Sequence, residues 1–108
     1  MKLGIYERME LLQLLPPHDT YAGMKEIFTT KLLLNPTPEE AKIINMKQEG
    51  NRLVWDPAAA EGLVVDIPFS EFMFNMIRDI LRRRSDEGKI SDNQLTLYEK
   101  FVMDYEQN

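Results

Sequence analysis

The apolar residues of this chain repeat at helical spacing on both sides of a central stretch, residues 44–67, in which that period is lost. Helical patterns at the two ends with short β-type runs between them point to an α+β domain. At 108 residues and 12.7 kDa the chain has room for one domain, residues 1–108. Scaling of surface with size leaves about two-thirds of it buried, enough for one core without disulfide or metal staples.

On the N-terminal side the pattern predicts three helices. Ile5, Met9, Leu12 and Leu15 recur at helical spacing between Leu3 and Leu15, and Pro16-Pro17 ends the run. Asp19 or Thr20 can cap a second helix, Tyr21 to Leu33, with Tyr21, Met24, Ile27, Phe28 and Leu32 as its apolar members. The third start combines Thr37 as N-cap, Pro38 in the first position, and Glu39 and Glu40 facing the positive end of the helix dipole. That helix is short and ends near Asn45.

In the centre, Ile44 to Gln48 and Arg52 to Trp55 flank Glu49-Gly50-Asn51, the pattern of a β-hairpin. Leu63 to Ile67, bounded by Gly62 and Pro68, reads as a third short strand available to that hairpin. Ser70 then caps the strongest helix, on which Phe69, Phe72, Met73, Met76, Ile77, Ile80 and Leu81 follow the 3.6 period. Arg82-Arg83-Arg84 stand in its last turn, and Gly88 breaks it. Ser91 and Gln94 make a capping box for a final helix with Leu95, Tyr98, Phe101, Val102 and Tyr105 on its apolar face. The expectation is three N-terminal helices, a central hairpin with a third strand, and two C-terminal helices.

Thirteen Lys and Arg against eighteen Asp and Glu give a net charge of −5, which repels phosphate and disfavours a nucleic-acid partner. Without cysteine there is no disulfide, thiolate metal site or Cys nucleophile, and a cytoplasmic address is expected. Glu7, Arg8 and Glu10 interrupt the N-terminal apolar run, so no signal peptide is expected. The stretch from Ile67 to Ile77 is broken by Glu71 and falls far short of the ~20 apolar residues of a membrane span.

Catalytic patterns are not found. The single histidine, His18, stands beside Asp19 in a turn, and no serine sits in a GxSxG elbow. The acidic pairs Glu39-Glu40, Asp86-Glu87 and Glu7 with Glu10 read as helix-end and surface charge, because adjacent side chains on a helix diverge. The chain has no EF-hand spacing, no HExxH and no CxxC, and its five glycines are too scattered for a phosphate loop. No catalytic, cofactor-binding or metal-binding residue is assigned, and the expected mode of action is binding without turnover.

Binding candidates are few. Arg82, Arg83 and Arg84, with Arg78 one turn earlier and Lys89 beyond, are the only concentration of positive charge and suit an acidic partner surface, a phosphate or a nucleic-acid backbone. Asp79, Asp86 and Glu87 surround them, so a solvated helix end is the plain alternative. Phe74 falls outside the main apolar stripe of its helix; either that helix is covered on two sides or Phe74 is an anchor for a partner. Met9, Met24, Met73 and Met76 are expected in the core, and Trp55 as a lid over it. Three helices before a hairpin also match the order of a winged helix-turn-helix, but Glu39 and Glu40 would then enter the DNA groove.

Three segments together, YERMELLQLLP, IINMKQEGNRLVWD and LTLYEKFV, carry a resemblance. The chain resembles short, functionally uncharacterised proteins that recur in tailed phages and prophages of Gram-positive bacteria, with a helix ending in LP, a KQEG hairpin followed by Trp, and a terminal LYEKF helix. It departs from them in PPHDTYAGMKEIFTT and in the Arg82-Arg83-Arg84 run. The resemblance implies a small protein that acts on a protein partner, for instance as a host-directed inhibitor. The alternatives are a virion component that forms a homo-oligomer and a winged-helix-like regulator.

Overall fold

Helix ends in this chain are set by local chemistry, and the elements follow from them. A computed structural model describes residues 1–104; Tyr105, expected on the last apolar face, lies outside them. The order is β1 (Lys2–Gly4), α1 (Ile5–Leu14), α2 (Tyr21–Leu34), α3 (Pro38–Ile43), β2 (Lys47–Glu49), β3 (Arg52–Val54), α4 (Pro57–Ala60), β4 (Val64–Asp66) and α5 (Glu71–Asp86). A 3₁₀ turn (Asp92–Gln94), α6 (Leu95–Tyr98) and a π turn (Glu99–Met103) complete an α+β fold.

Three of the caps read from the sequence are present, whereas the Ser91 hydroxyl caps nothing and only the Ser91 N–H meets Gln94 Oε1, at 3.3 Å. Thr20, Thr37 and Ser70 each accept a backbone N–H three residues on, from Gly23, Glu40 and Met73. Glu40 reaches back to the Thr37 N–H at 2.9 Å and completes a capping box. Two helices end in full Schellman motifs. After α5, Gly88 at φ +68° lets its own N–H reach Ser85 O and the Lys89 N–H reach Arg84 O, at 3.0 and 2.7 Å. After α3, Asn45 takes the same left-handed position at φ +52°, with Met46 N–H bonded to Ala41 O at 2.9 Å.

The hairpin forms as expected. Glu49 pairs with Arg52 across a two-residue loop, and only Gly50, at φ +61°, is left-handed there, the pattern of a II′ turn. The third strand differs from expectation: β4 pairs antiparallel with β1, Leu3 opposite Val65, and leaves the hairpin alone. A three-residue strand that runs straight into a helix has no period of its own, so β1 is invisible in the pattern. The pairing brings Leu3, near the N-terminus, and Ile67, from the central stretch, into the same core.

The main core joins α1, α2, α5 and the C-terminal turns through Leu11, Ile27, Leu34, Met73, Ile77, Leu81, Leu97 and Phe101. A second, smaller cluster of Ile5, Ile44 and Ala60 is closed by half-buried Met9, Met46 and Trp55. Trp55 lies over it as expected, its ring 5.1 Å from that of Tyr6. Two helix faces differ from those read in the sequence. On α2 the buried residues are Gly23, Ile27, Thr30 and Leu34, whereas Tyr21, Phe28 and Leu32 are 80, 60 and 61% exposed. In the last helix Gln94 turns inward, which buries Leu97 and leaves Leu95 outside.

Candidate functional site

The arginines at the basic end of α5 take different roles in the fold. Arg84 donates from Nε to Gln94 Oε1 at 3.1 Å and from Nη2 to the Lys89 carbonyl at 3.1 Å, so its guanidinium fastens the turn that follows the helix. Arg78 and Arg82 are half-buried, and each engages in contacts within the protein. Only Arg83 of the four is exposed. The four arginines thus differ in their surroundings, and Arg83 and Arg84 line one groove. Phe74 is half-buried against the main core, its ring 5.1 Å from that of Phe101. The structure thus covers α5 on two sides, and Phe74 packs inward where a surface anchor would stand out.

The acidic pairs separate. Glu7 accepts the Lys100 ammonium at 2.8 Å and the Gly4 N–H at 3.1 Å. Burial raises the pKa of this carboxyl, but the Lys100 and Gly4 bonds outweigh it and the net displacement is downward. Glu10 accepts from Gln94 Nε2 at 3.0 Å. Glu87 meets Lys89 at 3.1 Å. Among the described residues no three His, Asp or Glu side chains gather as metal ligands would. Also among these residues, no helix is long and apolar enough to cross a membrane.

Glu40 has a partner that the sequence pattern hides. Arg8, 1% exposed, meets it with two parallel bonds: Nη1 to Oε2 at 2.8 Å and Nη2 to Oε1 at 3.0 Å. Its Nε and Nη2 also donate to the carbonyls of Leu34 and Asn35, so one guanidinium satisfies the C-terminal end of α2 and the N-terminal end of α3. These bonds hold the Glu40 carboxyl well below its ordinary value, at about 2. Gln94, 3% exposed, plays a similar linking part between Glu10, Ser91 and Arg84. Both residues are polar in pattern and internal in fact; an Arg or Gln is placed outside by any rule based on hydrophobic period.

What the fold does assemble is an open groove of about 1040 Å³ between the end of α1, the α1–α2 turn and the outer side of α5. Half-buried Leu14, Pro16, Met76 and Ile80 are its apolar floor. Exposed side chains make the rim: His18, Asp19, Asp79, Arg83 and Glu87. Phe72, one of the residues on the 3.6 period of its helix, lines this groove at 47% exposure. Among the described residues His18 has no hydrogen-bond partner, and Asp19 spends one carboxylate oxygen on the Thr20 N–H at 2.7 Å. The pair is thus not arranged as a base with its orienting acid. Asp79 and Arg83 on α5 and Glu87 at its C-cap follow one another at four-residue spacing, so a partner lying in the groove would meet carboxylates on either side of Arg83.

The groove takes in two of the five residues singled out from the sequence, Arg83 and Arg84. Phe72 was legible as apolar but not as exposed, because the groove's other wall comes from residues more than fifty positions away. Comparison with known proteins finds no family model, no curated protein and no solved structure that matches this chain.

Proposed function

We propose that this protein acts by binding a protein partner in the groove beside α5, without turnover, as a phage- or prophage-type protein directed at a host protein. The observation that carries this is Phe72, an aromatic side chain half in solvent over an apolar floor, with three carboxylates and one arginine on the rim. An aromatic anchor in an apolar depression with a polar rim is the anatomy of an interface centre. With a net charge of −5, the chain favours a partner whose contact segment is basic and partly apolar. The resemblance of the hairpin and terminal-helix segments to phage and prophage proteins supports a host protein as that partner, met in the cytoplasm.

A photo-crosslinking amino acid in place of Phe72 tests the reading in host lysate. The expected result is one discrete adduct that weakens as salt rises and is missing when the same group replaces Leu53, which is exposed on β3. No adduct, or the same adducts from both positions, would overturn it. A DNA-binding reading meets an added obstacle: Glu40 is tied to Arg8, and Glu39 stays exposed at the start of α3. The virion-component reading is favoured by one feature, the outer side of α2.

A further inference from the structure

α2 is apolar on two opposite sides. Gly23, Ile27, Thr30 and Leu34 face the core, and Tyr21, Phe28 and Leu32 stand on the far side in solvent. Together with Lys25, the outer residues are spaced four, three and four apart, the alternation of a coiled-coil seam. Ala22 and Thr29 flank this line and are small. Glu26, the one carboxylate of α2, is turned away and accepts the Ser70 hydroxyl at 2.8 Å. A strongly acidic chain thus keeps one helix face free of negative charge.

We propose that this face is a homodimer seam in which α2 packs antiparallel against α2 of a second copy about a two-fold axis. The stripe is complementary to itself in that direction. A two-fold axis midway between Lys25 and Phe28 sets Tyr21 against the partner's Leu32 and Lys25 against the partner's Phe28, and the reverse pairs follow by symmetry. Lys25 already lies 5.7 Å from the centre of its own Tyr21 ring. In the pair its ammonium stays beside aromatic faces and at the wet edge of the seam. A parallel pair would instead stack the two Lys25 side chains on each other.

The area fits a weak dimer. The exposed parts of Tyr21, Phe28 and Leu32, with the stem of Lys25, offer about 500 Å² per copy, or about 1,000 Å² for the pair. That is the lower end for a specific interface, the size class of weak and transient association. Two chains of charge −5 repel at long range, so added salt tightens the dimer. An acidic partner drawn to Lys25 would be released by salt. The seam does not depend on the groove's having an occupant.

The absence of cysteine in the chain permits an orientation-specific test. One preparation carries Tyr21→Cys, a second Leu32→Cys, and both are oxidised at about 200 μM, alone and mixed. The antiparallel seam gives a mixed disulfide and little homodisulfide, because equal positions lie about 16 Å apart along the axis. Sedimentation of the native chain between about 5 and 500 μM is expected to move from 12.7 kDa toward twice that mass, further at 300 mM than at 50 mM NaCl. Lys25→Leu should tighten the dimer at least tenfold, and Phe28→Asp should leave a folded monomer. A native chain that stays monomeric at every concentration and salt, homodisulfides in place of the mixed one, or a Lys25→Leu chain with unchanged mass would each overturn the proposal.

Discussion

Arg8 concentrates more of the fold's polar chemistry than any apolar residue around it. Its guanidinium is sealed from solvent and bonded on one side to two helix-end carbonyls and on the other to Glu40, whose side chain is 12% exposed. Removing one member of such a pair leaves the other buried and uncompensated, which typically costs about 3–5 kcal/mol. Because the Glu40 carboxyl titrates at about 2 in the folded chain and at about 4.5 when free, the folded state favours its ionised form. That preference is fully present above pH 4.5 and is lost as the pH falls toward 2. It is worth on the order of 2 kcal/mol, with allowance for the wetted rim of the pair. Glu40→Gln is therefore expected to be less stable than the native chain at pH 7 in urea titrations, and the gap should close between pH 4.5 and 2. A gap unchanged across that interval would show that the carboxylate charge is not what matters.

At the scale of elements, α5 shows how an arginine run divides its labour. Arg84 is bonded across the turn to Gln94 and Lys89, and Arg83 points into the groove. Arg84→Ala should cost about 1–2 kcal/mol through the unsatisfied Gln94, whereas Arg83→Ala should stay within about 0.5 kcal/mol. Gly88→Ala, which places a Cβ at φ +68°, should cost about 1 kcal/mol. Thermal unfolding of the three variants checks the order; equal losses for Arg83→Ala and Arg84→Ala would refute the division. These helix ends were legible in the sequence because capping chemistry is local: Thr37-Pro38-Glu39-Glu40, Ser70 and Gly88 act within one turn. The α2 face was not, since a helix with Tyr21, Phe28 and Leu32 on one side and Ile27 and Leu34 on the other has no unique apolar direction. Nor was the β1–β4 pair, whose partners lie sixty or more residues apart and whose strands are three residues long. The groove needed both: the exposed side of α5 is defined only once α1, α2 and the C-terminal turns have taken the others.

For the molecule as a whole, the two clusters imply unequal stability. In β2 and β3 only Val54 is even half-buried, and a two-stranded ladder in water is marginal without support. Its support is the small cluster around Ile44 and Trp55, together with the Asp56 N–H bonded to Ile44 O at 2.8 Å. Along α5, by contrast, Met73, Ile77 and Leu81 are wholly enclosed in the main core. Residues 44–63 can therefore open while the main core stays closed. Native-state hydrogen exchange should show the ladder amides of β2 and β3 and the Asp56 amide opening at a cost at least about 2 kcal/mol below that of the Ile77 and Leu81 amides, which is roughly thirtyfold less protection. The opening should leave α5 protected in the same experiment. Protection of equal size in the hairpin and in α5 would mean that both clusters break together, and that Ile5, which joins the second cluster from α1, couples them as one unit.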